Sequence, residues 1–558
     1  MTDASVPSHY APSPRASVDV PLLRDGIDAY RVDWKVWAMW FVGFAVLSAA
    51  FPRDAHFDVS HYHLHNGWSV LEGRLMQDMA PAGLHSFLNP LHSMLIWWLV
   101  DTLPGPLVVA LLSPIHAAIL PVTYAFGARC LSALDVTVPK AFVGLCALTG
   151  FIALPSLLLV ASLGNDPWGT LAFLFALTLL IDPNRQTADL KTLAIGAFLI
   201  GAMTGMKLTN AIFIPGFAAF ALILVGDWSM RVKTALVCAI AGVAGILMFG
   251  GPWGLLMWEL FGNPVYPNLN TFFGSPPLGP DEPFRDLRYL PASLWEIPIR
   301  PFLFTLNGKL IFEYDVVDVR FLLGYVASLG ALSYVAIRFV RSKSALPGTR
   351  LILAMCIGFL STFVFWAAVF SIIRYAMALW ILAPMLLLIL AAWVAPKLIE
   401  KAQARFIVLA FCGALLLTIE LPNWRRAAWA SPFEPYVWTQ LPDGFDVTGS
   451  IVVFSAYYPT AFTAPAFEDA AWLTHADTRD WSKPALENYR PLIRQRIADS
   501  DAQVYAVLFH GQGSDADDLQ RMAGEVGLRS EFDRCAPLKT GFDSGPTHWL
   551  LCPLIRPN

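Results

Sequence analysis

The sequence predicts a polytopic α-helical membrane protein with a soluble α/β domain at its C-terminal end. Three observations carry this expectation. Of 558 residues, 56% are hydrophobic and 14% are charged, against about 25% charged in an ordinary soluble domain. Apolar runs close to the ~20 residues that cross a bilayer recur between residues 35 and 421. The charge is unevenly spread, with 29 of the charged residues in the last 137, from Pro422 onward. A net charge of −4 argues against nucleic acid as a partner.

Residues 1–31, with Pro7, Pro12, Pro14 and Pro21 and no apolar period, read as a flexible tail. They lack an apolar stretch followed by a cleavage site, so the first apolar run is expected to stay as a membrane helix. The predicted spans are 35–51, 107–128, 140–161, 168–182, 190–206, 208–226, 232–257, 319–340, 351–371, 375–394 and 404–421. A further apolar segment, 88–101, is placed by the positive-inside rule. If it lies along the membrane, the basic groups Arg129/Lys140, Arg185/Lys191, Arg231/Lys233, Arg338/Arg341/Lys343/Arg350 and Lys397/Lys401/Arg405 all face the cytoplasm. If it spans, all of them move outside. Its early Pro90 and its Trp97–Trp98 pair also suit a juxtamembrane helix. About eleven spans result over residues 32–421, with a cytoplasmic N-terminus and residues 422–558 outside. The absence of any N-x-Ser/Thr sequon favours a bacterial inner membrane, which makes the C-terminal domain periplasmic.

In that domain Ile451–Phe454, Val504–Phe509 and His548–Cys552 read as strands, and the stretches 485–499 and 515–526 as helices. No P-loop, dinucleotide fingerprint or internal repeat is present. Cys535 and Cys552 are its two cysteines, and an oxidising compartment would allow them to form a disulfide.

The unusual polar residues gather on the outer face. They lie in the loop 52–106, the turn Gly164-Asn165-Asp166-Pro167, the segment Lys207–Asn210, the loop 258–318 and the turn Ser371–Tyr375. A site on one face suits an enzyme at the interface, whereas a transporter places its polar groups near the bilayer midplane. Six of eleven histidines, His56, His61, His63, His65, His85 and His92, share the first loop. The His61/His65 spacing admits a divalent cation; the alternative is imidazoles bonded to backbone or substrate hydroxyls, since no metalloenzyme motif accompanies the pair.

The segment from His56 to Trp68 (HFDVSHYHLHNGW), followed by Leu71-Glu-Gly-Arg74-Leu, Asp78 and Leu88-Asn-Pro-Leu, resembles the first luminal loop of GT-C glycosyltransferases. The branch using polyprenyl-phosphate sugars, with its arabinosyl- and mannosyltransferases, is most similar. The resemblance extends to the helix–loop order over residues 35–421, to Gly262-Asn-Pro-Val-Tyr-Pro-Asn-Leu-Asn270 and to Arg374-Tyr375. It implies a GT-C-like enzyme that moves a sugar from a polyprenyl-phosphate donor to an envelope lipid, glycan or protein acceptor, without a resident cofactor. The family often begins this loop with two adjacent acids; here Asp58 is followed by Val59, which speaks against a metal role.

Such a transfer needs a base for the acceptor hydroxyl and cations for the departing phosphate. Asp58 is the predicted general base; its alternative role is to cap the helix expected at 59–72. Arg374, Lys207 and Arg74 are the predicted phosphate cations, with snorkelling to the headgroups as the alternative for Arg374. Asp166 and Asn165 either orient substrate or cap the helix that Pro167 opens. His61, His63, Asp78, Asn210, Asn263, Asn268 and Tyr375 complete the predicted substrate-binding set, with plain turn formation as the alternative for Asn263 and Asn268. Two rival functions stand beside it: a transporter or flippase of lipid-linked sugars, which could use the same basic residues, and a non-catalytic subunit whose C-terminal domain serves as a binding module.

Overall fold

A computed structural model describes residues 29–182, 189–278, 284–343, 346–399, 410, 412–415, 422, 424–455, 458–476, 489–510, 515–542 and 548–557. Residues 1–28 of the predicted tail, Arg185, Lys401, Arg405 and most of the predicted span 404–421 lie outside the described residues.

Among the described residues five helices are long and apolar enough to cross a membrane: Gly105–Ala133, Trp228–Phe261, Arg320–Ser342, Thr349–Val369 and Ile373–Val394. Five shorter apolar helices accompany them, Trp34–Ala50, Lys140–Phe151, Asp166–Leu180, Leu190–Met206 and Leu208–Leu224. The Trp228–Phe261 helix leaves Leu236, Ile240, Leu247 and Leu255 uncovered, a flank suited to acyl chains. Its other side meets Leu190–Met206 backbone to backbone, because a Cβ on Gly201 would lie 2.0 Å from the carbonyl oxygen of Gly242. Small residues give membrane helices this close approach. Ile373–Val394 is the opposite case, a central helix whose Trp380 is wholly buried against Phe321 and Trp366.

The predicted run 140–161 is broken. Lys140–Phe151 stops and the chain resumes as the short helix Leu154–Leu157, with Pro155 in its first turn, where proline's missing N–H costs nothing. Buried Arg320 satisfies the opened helix end: its Nε donates to the Thr149 carbonyl at 3.0 Å and Nη2 to that of Leu415 at 2.9 Å. Asp318 accepts from the backbone N–H of Leu154 at 3.0 Å and of Arg320 at 3.1 Å.

The chain leaving Trp34–Ala50 forms β1 (Arg53–Asp54), which pairs antiparallel with β2 (Arg426–Ala427). The two-stranded clasp ties the segment that follows Trp34–Ala50 to the start of the C-terminal domain. Arg53 locks it by donating to the carbonyls of Ala428 and Tyr436 and by pairing with Glu434 at 2.6 Å. After the clasp comes a π-helical turn, Val59–His63, that runs into the helix Leu64–Leu71. A plain α-helix was expected here; π-turns widen the helix and recur at functional sites. The segment expected to lie along the membrane forms the helix Leu91–Thr102.

The C-terminal domain is built on a mixed seven-stranded sheet with β3 (Thr439–Gln440), β4 (Ile451–Ser455), β5 (Trp472–Ala476), β6 (Val504–His510), β7 (Arg529–Ser530), β8 (Ala536–Thr540) and β9 (His548–Ile555). The order is β3-β8-β9-β6-β4-β5, with β7 also on β9; β5, β4 and β6 are parallel and β9 runs antiparallel to β6. Helices Tyr489–Ala498 and Asp515–Glu525 flank it. The three strands expected from sequence are present, while β5 and β8 were not anticipated. A disulfide joins Cys535 to Cys552. The segment around Met79 covers the edge strand β5: the Met79 N–H donates to the Leu473 carbonyl at 2.8 Å, and Thr474 Oγ1 donates to the Met79 carbonyl at 3.1 Å. Covering an edge in this way blocks pairing with another chain.

Candidate functional site

Four separate stretches of chain meet beneath the C-terminal domain. Asp58 stands where the clasp hands over to the π-turn, and Asp166 opens the helix Asp166–Leu180. Lys207 sits at an extended break (φ −146°, ψ 113°) after Leu190–Met206. Arg374 lies in the turn Ile373–Ala376 that opens the central helix, a turn held by Trp366 Nε1 on the Ile372 carbonyl at 2.8 Å and by the Ile373 N–H on the Ile311 carbonyl at 3.0 Å.

The side chains form a continuous chain of alternating charge. Arg374 Nη2 is 2.7 Å from Asp58 Oδ2, Arg374 Nε is 3.5 Å from Asp166 Oδ2, and Lys207 Nζ is 2.5 Å from Asp166 Oδ1. At the other end His56 Nε2 is 3.8 Å from Asp58, and its Nδ1 bonds Asp54 at 2.8 Å. The side chains of Asp166, Arg374, Asp58 and Lys207 are only 5–13% exposed. Aromatic rings wall the chain. The Tyr375 ring lies 5.1 Å from both Lys207 Nζ and the Arg374 guanidinium. Trp424 stacks on His56 at 4.4 Å and lies 5.7 Å from the same guanidinium.

Burial works to raise the Asp58 carboxyl, but Arg374, His56 and Lys207 outweigh it and hold the group well below the usual carboxylate range. Burial works against a charged His56, yet Asp54 and Asp58 raise it to about 9, so it is an imidazolium at neutral pH. Burial together with neighbouring imidazoles keeps His61 and His63 neutral.

The structure thus brings Asp58, Asp166, Lys207, Arg374 and Tyr375 together. Asp58 is no cap: its backbone is helical and its side chain makes no cap bond. Nor does Asn165, which holds the cap position of the Asp166 helix, and its Oδ1 has no partner among the described residues. Arg374 faces inward and does not snorkel. His61 stacks on Phe57 at 4.4 Å, and His63 Nδ1 meets Ser93 Oγ at 3.0 Å. Both lie behind Asp58 and feel its charge.

Other residues of the predicted substrate-binding set have partners within the fold. Arg74 pairs with Asp78 at 2.9 Å and donates to the carbonyls of Glu468 and Ala470, while Asp78 accepts from the Leu473 N–H. Together they fasten this segment to β5 and to the turn that precedes it. Asn210 Nδ2 donates to the Met203 carbonyl at 2.9 Å, repairing the helix break beside Lys207. Asn263 closes a turn, with Nδ2 on the Asn268 carbonyl at 3.0 Å and Oδ1 accepting from the Val265 N–H. Among the described residues no group of three His, Cys, Asp or Glu side chains is placed to hold a metal ion.

Sequence reasoning missed Asp54 and Trp424, and it counted His56 only as one histidine of six. The available signals were the alternation Asp54-Ala-His56-Phe-Asp58 and the Trp424-Arg425-Arg426 run just after the last apolar segment. Comparison with known proteins gives no match: no family model, no curated protein and no solved structure is similar to this chain.

Proposed function

We propose that the protein is a GT-C-type membrane glycosyltransferase of about eleven spans, in a bacterial inner membrane with its C-terminal domain periplasmic. It transfers a sugar from a polyprenyl-phosphate donor to the hydroxyl of an envelope lipid, glycan or protein. One observation carries this reading. Among the described residues the side chains of Asp58, Arg374, Asp166 and Lys207 bond one another and Tyr375, and none of them bonds a backbone group. Buried charges held only by other side chains, here one another, His56 and Tyr375, can be exchanged for a charged ligand.

A donor phosphate would occupy Arg374 and Lys207, the guanidinium offering bidentate contact and the ammonium a point charge. In the resting protein Asp58 is a weak base because those cations hold its proton affinity down. The donor's phosphodiester monoanion beside them weakens that field, so donor binding itself raises the basicity of Asp58. The acceptor oxygen then attacks the anomeric carbon, its proton passes to Asp58, and the bond from that carbon to the phosphate oxygen breaks. The departing polyprenyl phosphate keeps the bond's electron pair, its charge met by Arg374 and Lys207. Charged His56, braced by Asp54, keeps Asp58 ionised and oriented before the donor arrives.

The test is to incubate purified full-length protein in proteoliposomes with radiolabelled polyprenyl-phosphate sugar and membrane-extract acceptors. The expected result is free polyprenyl phosphate with the label in a new glycosidic product. Label that remains on the polyprenyl lipid while crossing the bilayer would identify a flippase instead.

A further inference from the structure

The segment Leu294–Leu306, expected from sequence to be part of an outer loop, has two unlike faces. On the inner face Phe304 is 2% exposed and sits 5.2–6.2 Å, ring to ring, from Phe321, Trp380 and Trp366. Those rings belong to the near ends of three long helices. Arg300 is buried on the same face, pairs with Glu296 and donates to the Leu310 carbonyl at 3.1 Å. The outer face consists of Leu294, Trp295, Ile299, Phe302 and Leu306, with Trp295 89% and Leu306 82% exposed. A contiguous apolar face of this kind marks an interaction site on a protein that meets water there.

Two observations identify what covers it. The face continues surfaces suited to lipid: Phe302 packs on Tyr325 at 6.3 Å, beside exposed Val326 and Leu329 of the Arg320–Ser342 helix. The short helix Asn270–Phe273 repeats the pattern, with Phe272 82% exposed and Phe273 edge-on to Trp258 at 6.4 Å, at the end of the bare Trp228–Phe261 flank. Exposed Arg285 and Lys309 stand toward the two ends of the Leu294–Leu306 segment, the placement in which long cationic side chains reach headgroup phosphates.

We propose that Leu294–Leu306, together with Phe272, is an in-plane membrane anchor lying in the headgroup–acyl boundary of the leaflet next to the C-terminal domain. Its partner is the phospholipid bilayer. The Ile311 carbonyl, just beyond the anchor, accepts from the Ile373 N–H at 3.0 Å, so the membrane surface sets the height of the turn that presents Arg374. The anchor does not depend on the reaction assigned to the site.

The test places single nitroxide labels by Trp295→Cys, Phe302→Cys and Leu306→Cys in full-length protein, within vesicles of phosphatidylethanolamine and phosphatidylglycerol. The background carries Cys238→Ala, since Cys238 is the free cysteine among the described residues that is not buried. Lys309→Cys serves as the headgroup control, and only variants eluting with the unsubstituted protein are scored. Collisions with oxygen should exceed collisions with a water-soluble nickel chelate at the three apolar positions, with the reverse at Lys309. Dominant nickel collisions at those positions would place the face in water, and exclusion of both reagents would place it under protein. Either outcome overturns the anchor.

Discussion

Arg320 and Arg374 each open a late membrane helix and each faces an aspartate, at 3.0 and 2.7 Å, yet they are used in different ways. Around Arg320 every named hydrogen bond ends on backbone: the carbonyls of Thr149 and Leu415, and the N–H groups that Asp318 accepts. Releasing that pair would orphan the ends of two broken segments, and buried backbone groups without partners are costly. Arg53 and Arg74 follow the same pattern, each bonded to carbonyls of the C-terminal domain. Around Arg374 the partners are other side chains. A ligand can replace them one charge at a time without opening a helix. What separates a buried charge that holds the fold from one poised for chemistry is therefore whether backbone depends on it.

Four substitutions test that contrast, taken from the largest expected effect down. Asp58→Asn should lower turnover on the order of 10²–10⁴-fold while the protein still purifies folded, as steady-state transfer assays with size-exclusion profiles would show. Arg320→Met should destabilise the protein by about 3–5 kcal/mol, because it leaves Asp318 charged and buried beside two orphaned carbonyls. Arg374→Met should cost less in thermal denaturation, since His56 and Lys207 remain to balance Asp58 and Asp166. A lower melting point for Arg374→Met than for Arg320→Met would erase the distinction between the two regions. Lys207→Gln should raise the donor KM on the order of tenfold, the worth of one charge-assisted hydrogen bond, and lower kcat as well, because the ammonium also meets the charge that builds on the departing phosphate.

The smallest effect concerns pH. Because His56 titrates at about 9 in the folded protein, above its ordinary value of about 6.5, its contribution to stability is complete below that ordinary value. The contribution fades as pH rises through about 9. Thermal midpoints should therefore fall across that window in the wild type and fall less in His56→Gln.

The parts of the fold legible in sequence were those set by long patterns. Apolar runs found the helices, and β-branched runs found β4, β6 and β9. The break after Phe151 was hidden inside an unbroken apolar stretch, although Pro155 marked it. Strand β5 was hidden because Thr474 and His475 interrupt its apolar character and because its edge is completed by Met79, far away in sequence. At the site, Asp58, Asp166, Lys207 and Arg374 were legible because a charge flanked by apolar spans needs a reason. Their mutual contact was not, since it depends on how four helix ends pack. Arg74, Asp78, Asn210 and Asn263 looked equivalent to them in sequence. That their side chains bond backbone carbonyls and N–H groups of distant or turned chain depends on the folded arrangement and is not written in local sequence.

The most direct test of the exchangeable-charge account is the affinity of the Asp58→Asn variant for polyprenyl phosphate, measured by calorimetry on full-length protein in nanodiscs. If Asp58 competes with the phosphate for Arg374, removing its charge frees the guanidinium, and the variant should bind the lipid more tightly than the wild type while failing to transfer sugar. Weaker binding by Asp58→Asn, with transfer lost in parallel, would contradict the account and return Asp58 to a structural role.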